Sequence, residues 1–198
     1  MITILIATLP NRDRTLCIES IQSVLGYETK ILIDDRVDIS IGHKRAEMIS
    51  KVTTKYLAFI DDDDIILDGY SKIFELMDKD VDQIKIMMSY YVNGIFKYNA
   101  IRSNHIAINK TELAQIISFY DTGECEDTMF ATELSYLIDT FDVINEPCYE
   151  YKFIERQKEY DRKSNVISKC IDSNKNIRKE LLCGRGLFDF EKVHYFND

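Results

Sequence analysis

The chain has 198 residues, of which 45% are hydrophobic and 30% charged, and its formal net charge is −9. This length suits one domain with a full hydrophobic core, and no apolar run approaches the roughly 18 residues of a membrane span. The start of the chain lacks the basic region and cleavage site of a signal peptide. The five cysteines are scattered without zinc-ligand spacing, which predicts reduced thiols in a cytoplasmic protein.

The charge is unevenly distributed along the chain. Residues 152–185 hold ten basic side chains against five acidic ones, whereas the body before them is strongly acidic. We expect a single domain over residues 1–198, with 152–185 as a basic and helical C-terminal segment. Such a segment would suit either a docking surface for an anionic partner or the exposed face of terminal helices.

The first third of the chain alternates between strand and helix patterns. Residues 2–7 predict a buried strand, and a helix follows to Leu25, with Gly26 as its terminator. Residues 30–33 predict a second strand. Two parallel strands joined by a helix form a βαβ unit, which indicates an α/β fold.

The pattern continues with a loop through Gly42, a helix over 44–52 and a strand over 56–60. A further helix is predicted over residues 70–77. Residues 83–98 then alternate around Asn93-Gly94, the strongest short signal for a β-hairpin, so the sheet is expected to be mixed in its second half.

The elements predicted after the hairpin are shorter. They comprise a strand over 104–108, a helix capped by Thr111, and short strands at 143–144 and 148–153. Between them, an amphipathic helix is predicted from Glu124, with an apolar stripe that runs from Phe130 to Phe141.

Four consecutive carboxylates, Asp61 to Asp64, directly follow the apolar strand over 56–60. That strand is apolar throughout, as is typical of a strand buried on both faces, and such sheets bind ligands at the carboxyl ends of their strands. Adjacent carboxylates repel one another, and a divalent cation with the phosphates of a substrate removes that repulsion. The junction therefore predicts a metal–diphosphate site, although a solvated acidic loop would show the same residues.

Five stretches, taken in order, resemble a known family. They are residues 8–14 with the helix after them, 31–35, 42–45, 59–64, and the pair Glu126-Asp127. Together they resemble a nucleotide-sugar-dependent glycosyltransferase of the GT-A fold, in particular the large inverting group called family 2. The resemblance covers about residues 2–150. It implies an α/β fold whose central, mostly parallel mixed sheet is flanked by helices.

The resemblance also implies where the donor nucleotide binds. Thr8, Pro10 and Arg12 look like the first nucleotide-contacting loop, and Asp34 and Asp35 look like the acids at the second strand that contact the base. The donor is expected to be a nucleoside-diphosphate sugar, with a UDP-sugar as the first choice.

The basic and acidic motifs that follow are assigned to the diphosphate. Lys44 and Arg45 look like the basic loop ahead of the metal motif, although a solvated first helical turn explains them equally well. Asp61 and Asp62 are expected to contact the donor. Asp63 is the expected ligand of Mn²⁺ or Mg²⁺, with Asp61 as a second ligand, and Asp62 and Asp64 are further candidates because the motif can be aligned one residue earlier or later.

The catalytic base implied by the resemblance is Asp127, which would take the proton of the acceptor hydroxyl during one inverting displacement. Such a base contributes about 10²–10⁴-fold. Glu124 and Glu126 would bind acceptor hydroxyls. A helix-start carboxylate that interacts with backbone N–H groups would also explain Asp127. Many relatives carry a histidine soon after this pair; none lies nearby here, so His194 is included as a further candidate metal ligand.

Three other functions are alternatives to this one. The acceptor is expected to be a glycan or a modified base in nucleic acid, and the basic 152–185 segment would suit a DNA-modifying enzyme acting on a hydroxymethylated base. The acidic body argues against extended contact with a duplex. A nucleotidyltransferase would show a glycine-rich phosphate loop after the first strand, and this chain has none. A non-catalytic nucleotide-sugar-binding module is the alternative from outside the enzymes.

Overall fold

A computed structural model describes residues 1–102, 105–117, 119, 121 and 126–153 of the chain. The strands are β1 (Ile2–Ala7), β2 (Lys30–Asp34), β3 (Tyr56–Phe59), β4 (Ile65–Ile66), β5 (Gln83–Val92), β6 (Ile95–Arg102), β7 (Ile108–Lys110) and β8 (Phe141–Phe153). The helices are α1 (Thr15–Leu25), α2 (Ile41–Ser50), α3 (Ile73–Met77), α4 (Thr111–Ile116) and α5 (Glu126–Leu134), with a 3₁₀ turn at Asp68–Lys72 before α3. No helix in these ranges has the length and apolar character needed to cross a membrane.

The strands form one mixed sheet in the order β2-β1-β3-β7-β5-β8-β4, and β6 pairs with β5 beyond the end of β7. The pairs β1–β2, β1–β3 and β5–β8 are parallel, whereas β7 runs antiparallel to both of its neighbours. The predicted α/β class and mixed sheet are confirmed. Parallel pairing predominates in the first half of the chain, and antiparallel pairs join the two halves.

The sheet is covered on both faces, as its apolar strands predicted. Alternate residues of β1 point to opposite sides, so that Ile4 and Ile6 pack with α1 while Leu5 packs with α2, α4 and α5. All four residues of β3 are buried. The carboxyl ends of β1 and β3 are adjacent because the two strands pair in parallel. Because both strands are buried, the loops that follow them start from fixed positions.

The hairpin and β8 form the second half of the sheet. The predicted hairpin is confirmed, with Asn93 and Gly94 both at positive φ in its turn. Tyr90 of β5 stacks on Tyr98 of β6 and on Tyr151 of β8, with ring centroids 5.1 and 5.5 Å apart. These cross-strand contacts fasten the hairpin to β8.

The structure corrects several predicted boundaries. The helix expected over 44–52 begins earlier, at Ile41, because Ser40 caps it by accepting a hydrogen bond from the His43 backbone N–H. The amphipathic helix ends at Leu134, and Phe141 instead starts β8 with an exposed side chain. Of the apolar residues expected to extend the helix, Ile138 still packs against the core although it lies outside the helix.

The remaining corrections concern strands and a cap. The two short strands expected near residues 143 and 150 are one strand, in which Pro147 sits at a shift in register with β5. The strand expected over 104–108 begins only at Ile108. Thr111 makes no side-chain cap; it is the first residue of α4, and its buried hydroxyl has no partner among the described residues. Of the segment 152–185, residues 152 and 153 belong to β8, and the rest lies outside the described residues.

Candidate active site

The acidic run forms a tight turn at the carboxyl end of β3, closed by a hydrogen bond from the Asp64 N–H to the Asp61 carbonyl oxygen (3.1 Å). The four side chains lie in different surroundings. Asp62 and Asp64 are buried, Asp61 is partly buried, and Asp63 is exposed. The turn is therefore not a uniform solvated loop, because two of its carboxylates face the protein interior.

The loop after β1 contacts this turn directly. The Thr8 hydroxyl donates to Asp62, and the Arg12 guanidinium donates to Asp62 Oδ1 (2.7 Å) and Asp63 Oδ2 (2.8 Å). Because β1 and β3 are parallel neighbours, their following loops emerge at the same edge of the sheet. The structure thus brings together Thr8, Arg12 and the acidic turn. Pro10 lies exposed in the same loop.

Asp64 links the turn to β8. Its carboxyl accepts a hydrogen bond from the Tyr149 hydroxyl (2.8 Å) and faces the Lys152 backbone N–H (3.3 Å). Burial, together with the charge of Asp61, raises the pKa of Asp64 to about 8. Burial thus favours the neutral form of this carboxyl, and its contacts join the acidic turn to β8.

Lys44 and Arg45 lie in the first turns of α2 and are both buried. The Lys44 ammonium donates to the Thr8 carbonyl oxygen (2.7 Å). The Arg45 guanidinium donates to Glu126 Oε1 (2.6 Å) and Asp61 Oδ1 (3.2 Å). Both cations are thus held by protein groups at the edge of the site, and their expected contact with donor phosphates stays a prediction.

Glu126 and Asp127 occupy the first turn of α5, which contacts α2 through the Arg45–Glu126 ion pair. Glu126 is buried, and burial raises its pKa although Arg45 acts in the opposite direction. Asp127 is partly exposed, and its Oδ2 lies 3.6 Å from Nδ1 of His105. Nε2 of the same ring lies 3.8 Å from Asp61 Oδ1. His105 therefore lies between the acidic turn and the predicted base.

Charge around Asp61 favours its ionised form. Burial acts to raise its pKa, but the nearby His105 ring and the Arg45 and Arg12 guanidinium groups outweigh burial and hold the pKa below its usual range. These neighbours thus favour a negatively charged Asp61 at the centre of the site.

The acids after β2 form a separate group. Arg36 Nε and Nη2 bind both carboxylate oxygens of Asp34 and Nη2 also binds Glu47, and the hydrogen bond from Arg36 lowers the pKa of Asp34. Asp35 lies 3.7 Å from Arg14. The Asp34 backbone carbonyl accepts from the Thr8 N–H (2.9 Å), which places this group beside the first loop.

A cavity of about 470 Å³ opens between these elements, within the size range of small-molecule sites. Apolar side chains line one part of it and the acidic turn the other. The lining residues are Ala7, Thr8, Leu9, Arg12, Ile39, Ile41, Lys44, Arg45, Asp61, Asp62 and Asp63.

The donor set for a metal is incomplete by itself. Within the described ranges, no group of three or more His, Cys, Asp or Glu side chains is arranged to hold an ion. The hydrogen bonds given above occupy one oxygen of Asp61 and one of Asp63, and leave the second oxygen of each for a cation. Mg²⁺ in nucleotide sites commonly takes one or two carboxylates and completes its shell with phosphates and water. Glu124 and His194 lie outside the described residues.

Sequence reasoning missed His105, Arg36 and Tyr149. His105 is brought to the site by the antiparallel pairing of β7 with β3, for which the sequence offers no local signal. Arg36 follows Asp34 by two residues, and this spacing was the available signal for its ion pair. Tyr149 lies in a segment predicted only as a strand, and its contact with Asp64 depends on strand order.

No family model matches the chain, and no curated protein matches it in sequence. Solved structures do match. The structure of Staphylococcus aureus (S. aureus) TarS 1–349 in complex with UDP superposes with a TM-score of 0.59 at 15% sequence identity, over 77% of this chain and 60% of that one. TarS 1–349 in complex with UDP-GlcNAc gives a TM-score of 0.55 at 11% identity, over 79% of this chain and 59% of that one.

The chain spans about 60% of the length of these TarS structures. At such low identity the likeness shows the fold alone. These neighbours are glycosyltransferases of the GT-A type, and the predicted GT-A fold class is thereby confirmed. The chain has the architecture of that fold, with the acidic turn at the carboxyl end of its third strand.

Proposed function

We propose that this chain is a glycosyltransferase that moves a sugar from a nucleoside-diphosphate sugar to an acceptor hydroxyl. The observation that carries the proposal is the cavity at the carboxyl ends of β1 and β3, walled by the acidic turn and adjoined by Asp127 through His105. The GT-A fold supports it, and the binding of UDP and UDP-GlcNAc by TarS favours a UDP-sugar as the donor.

In this proposal the reaction depends on Mn²⁺ or Mg²⁺. Asp63 and Asp61 would hold the cation through their remaining carboxylate oxygens, and the donor diphosphate would complete its coordination. When bound, the cation would stabilise negative charge on the leaving diphosphate.

The residues of the first loop would hold the donor. Arg12 is partly exposed and lies over Asp62 and Asp63, where its guanidinium can reach a phosphate oxygen at the mouth of the cavity. Thr8 holds the Asp62 carboxylate in place by donating a hydrogen bond from its hydroxyl. Arg36 adds a cation beside Asp34, the acid expected to contact the base, whose backbone carbonyl oxygen accepts from the Thr8 N–H.

Asp127 would act as the general base. It would take the proton of the acceptor hydroxyl as that oxygen attacks the anomeric carbon from the face opposite the leaving diphosphate. A single displacement of this kind inverts the configuration. A positioned base contributes about 10²–10⁴-fold to the rate.

The test measures UDP release from UDP-sugars by the purified chain, with Mn²⁺ and a panel of acceptors. Asp127→Asn removes the base, and we expect kcat to fall at least about 100-fold while UDP still binds. Asp63→Asn is expected to abolish the effect of Mn²⁺ on UDP affinity. Asp68→Asn, which changes an exposed carboxylate in the following 3₁₀ turn, is the matched control and should leave both quantities unchanged.

Full turnover by the Asp127→Asn variant would exclude the assigned base. Wild-type protein that binds UDP-sugars tightly without turning over any of them would instead support a non-catalytic binding module.

A further inference from the structure

The His105 side chain is a buried polar group whose hydrogen bonds are incomplete. Only 6% of it is exposed, and neither ring nitrogen has a hydrogen-bond partner among the described residues. A buried polar group without a partner costs about 1–3 kcal/mol, so folded proteins rarely retain one without a reason. The position of this ring therefore calls for an explanation.

Both nitrogens face carboxylates just beyond hydrogen-bond distance. Nδ1 lies 3.6 Å from Asp127 Oδ2, and Nε2 lies 3.8 Å from Asp61 Oδ1. A movement of under about 1 Å by the partly exposed Asp127 would bring its oxygen to the usual N–H···O distance of about 2.9 Å. The ring thus lies where it can hold the predicted base.

The ring itself is fixed more firmly than the carboxylate. The Phe59 N–H faces the His105 carbonyl oxygen at 3.5 Å, which places the backbone beside the carboxyl end of β3. The Phe59 ring lies against the imidazole with centroids 6.3 Å apart. Asp127 lies in the first turn of α5, where its carboxylate already accepts from the Thr128 N–H (2.7 Å). Asp127 is held there by one oxygen only and its side chain is 35% exposed, so it has more room to adjust than the buried ring.

We propose that His105 is a positioning residue for Asp127. Its Nδ1–H donates to Asp127 Oδ2 when substrates bind and, together with the Thr128 N–H on Oδ1, fixes the orientation of the carboxylate that takes the acceptor's proton. This role rests on the proposed function, because it assigns Asp127 as the base. Misplacing a catalytic group by about 1 Å can cost about 100-fold in rate, so a fixed donor at this point has a kinetic consequence.

Three substitutions at one position separate this role from simple packing. His105→Asn keeps an amide near the position of Nδ1, His105→Gln keeps one near Nε2, and His105→Phe keeps only the ring shape. We expect kcat to fall about 10- to 100-fold in the Phe and Gln variants and less than about 5-fold in the Asn variant. The KM for donor and the affinity for UDP should stay within about 2-fold throughout.

His43→Asn is the matched control, since it replaces an exposed histidine that pairs with Glu47 one turn along α2. A double variant tests whether the effect passes through the base. Adding His105→Phe to Asp127→Asn should lower kcat no further, because the positioned group is already absent.

Several results would overturn the inference. One is kcat unchanged in His105→Phe. A second is better retention in the Gln variant than in the Asn variant together with a raised donor KM, which would assign the ring to Asp61. A third is that adding His105→Phe to Asp127→Asn lowers kcat by the same factor as His105→Phe does in the wild-type protein. Wild-type turnover accompanied by any of these leaves the proposed function standing, whereas absence of wild-type turnover removes both.

Discussion

Arg45 connects the two sides of the site at the scale of a single residue. Its side chain is 5% exposed, and its guanidinium binds Glu126 on α5 and Asp61 in the acidic turn. The charge also lies over the rings of Phe59 and Phe119, 5.5 and 5.8 Å from their centroids. A cation this deeply buried is tolerable only because two carboxylates and two aromatic faces surround it.

Arg45→Met is expected to destabilise the fold by about 3 kcal/mol, because it leaves the buried Glu126 carboxylate without its partner. Urea unfolding at pH 7 measures the change in the free energy of unfolding. Lys72→Met is the matched control, since the ion pair of Lys72 with Glu146 is about half exposed and such pairs contribute about 0–1 kcal/mol. Equal losses in the two variants would contradict the structural importance of the buried pair.

At the scale of elements, Asp82 holds three of them together at the start of β5. Its Oδ2 accepts from the backbone N–H groups of Asp139 (3.0 Å) and Thr140 (2.9 Å), just before β8. Its Oδ1 accepts from Lys110 at the end of β7 (3.0 Å). One carboxylate therefore fixes where β7, β5 and β8 meet, at the edge of the sheet opposite the site.

This arrangement predicts a pH-dependent stability. Burial acts to raise the pKa of Asp82, but the backbone N–H of Thr140, Lys110 and the N–H of Asp139 outweigh it and lower the pKa to about 2. The unfolded chain has a value of about 3.9. Because the folded pKa is the lower one, the contribution is complete above about pH 5 and is lost as the pH falls toward 2.

Asp82→Asn is therefore expected to cost about 2 kcal/mol at pH 6 and about half of that at pH 3. Urea unfolding of both proteins at the two pH values checks this. Asp80→Asn serves as the control, because Asp80 shares Lys110 as a partner but is exposed, and Asn tolerates its positive φ of 57°. A pH-independent difference for Asp82→Asn would show that its charge is not the source of the stability.

At the scale of the whole molecule, binding of the donor should stabilise the fold. Ligand at 100 times its Kd adds about 2.7 kcal/mol, and in a domain of this size 1 kcal/mol raises Tm by about 2–4 °C. We therefore expect UDP with Mn²⁺ to raise Tm by about 5–10 °C, with smaller shifts for UDP alone and for ADP with Mn²⁺. Thermal unfolding measures all three. Equal shifts with and without Mn²⁺ would contradict metal-dependent binding.

Much of the architecture was predictable because it depends on local patterns. The apolar runs of β1, β2 and β3, the period of α1 and the Asn93-Gly94 turn each specify an element within about ten residues. The ends of helices and strands were less predictable where contact with another element of the fold determines them. The apolar period past Leu134 predicted more helix, but the chain leaves α5 to enter β8, because pairing with β5 satisfies the backbone there.

The sequence by itself determined the α/β class, the elements of the first βαβ unit, and a cluster of carboxylates at the tip of a buried strand. Only the tertiary structure decided what each carboxylate contacts: Asp62 meets Arg12, Asp64 meets Tyr149, and His105 lies between Asp61 and Asp127. The physical reason is the distance along the chain over which each feature is determined. A hydrophobic period and a turn are properties of neighbouring residues, whereas the burial and pairing of a charge depend on which distant strands the fold places beside it.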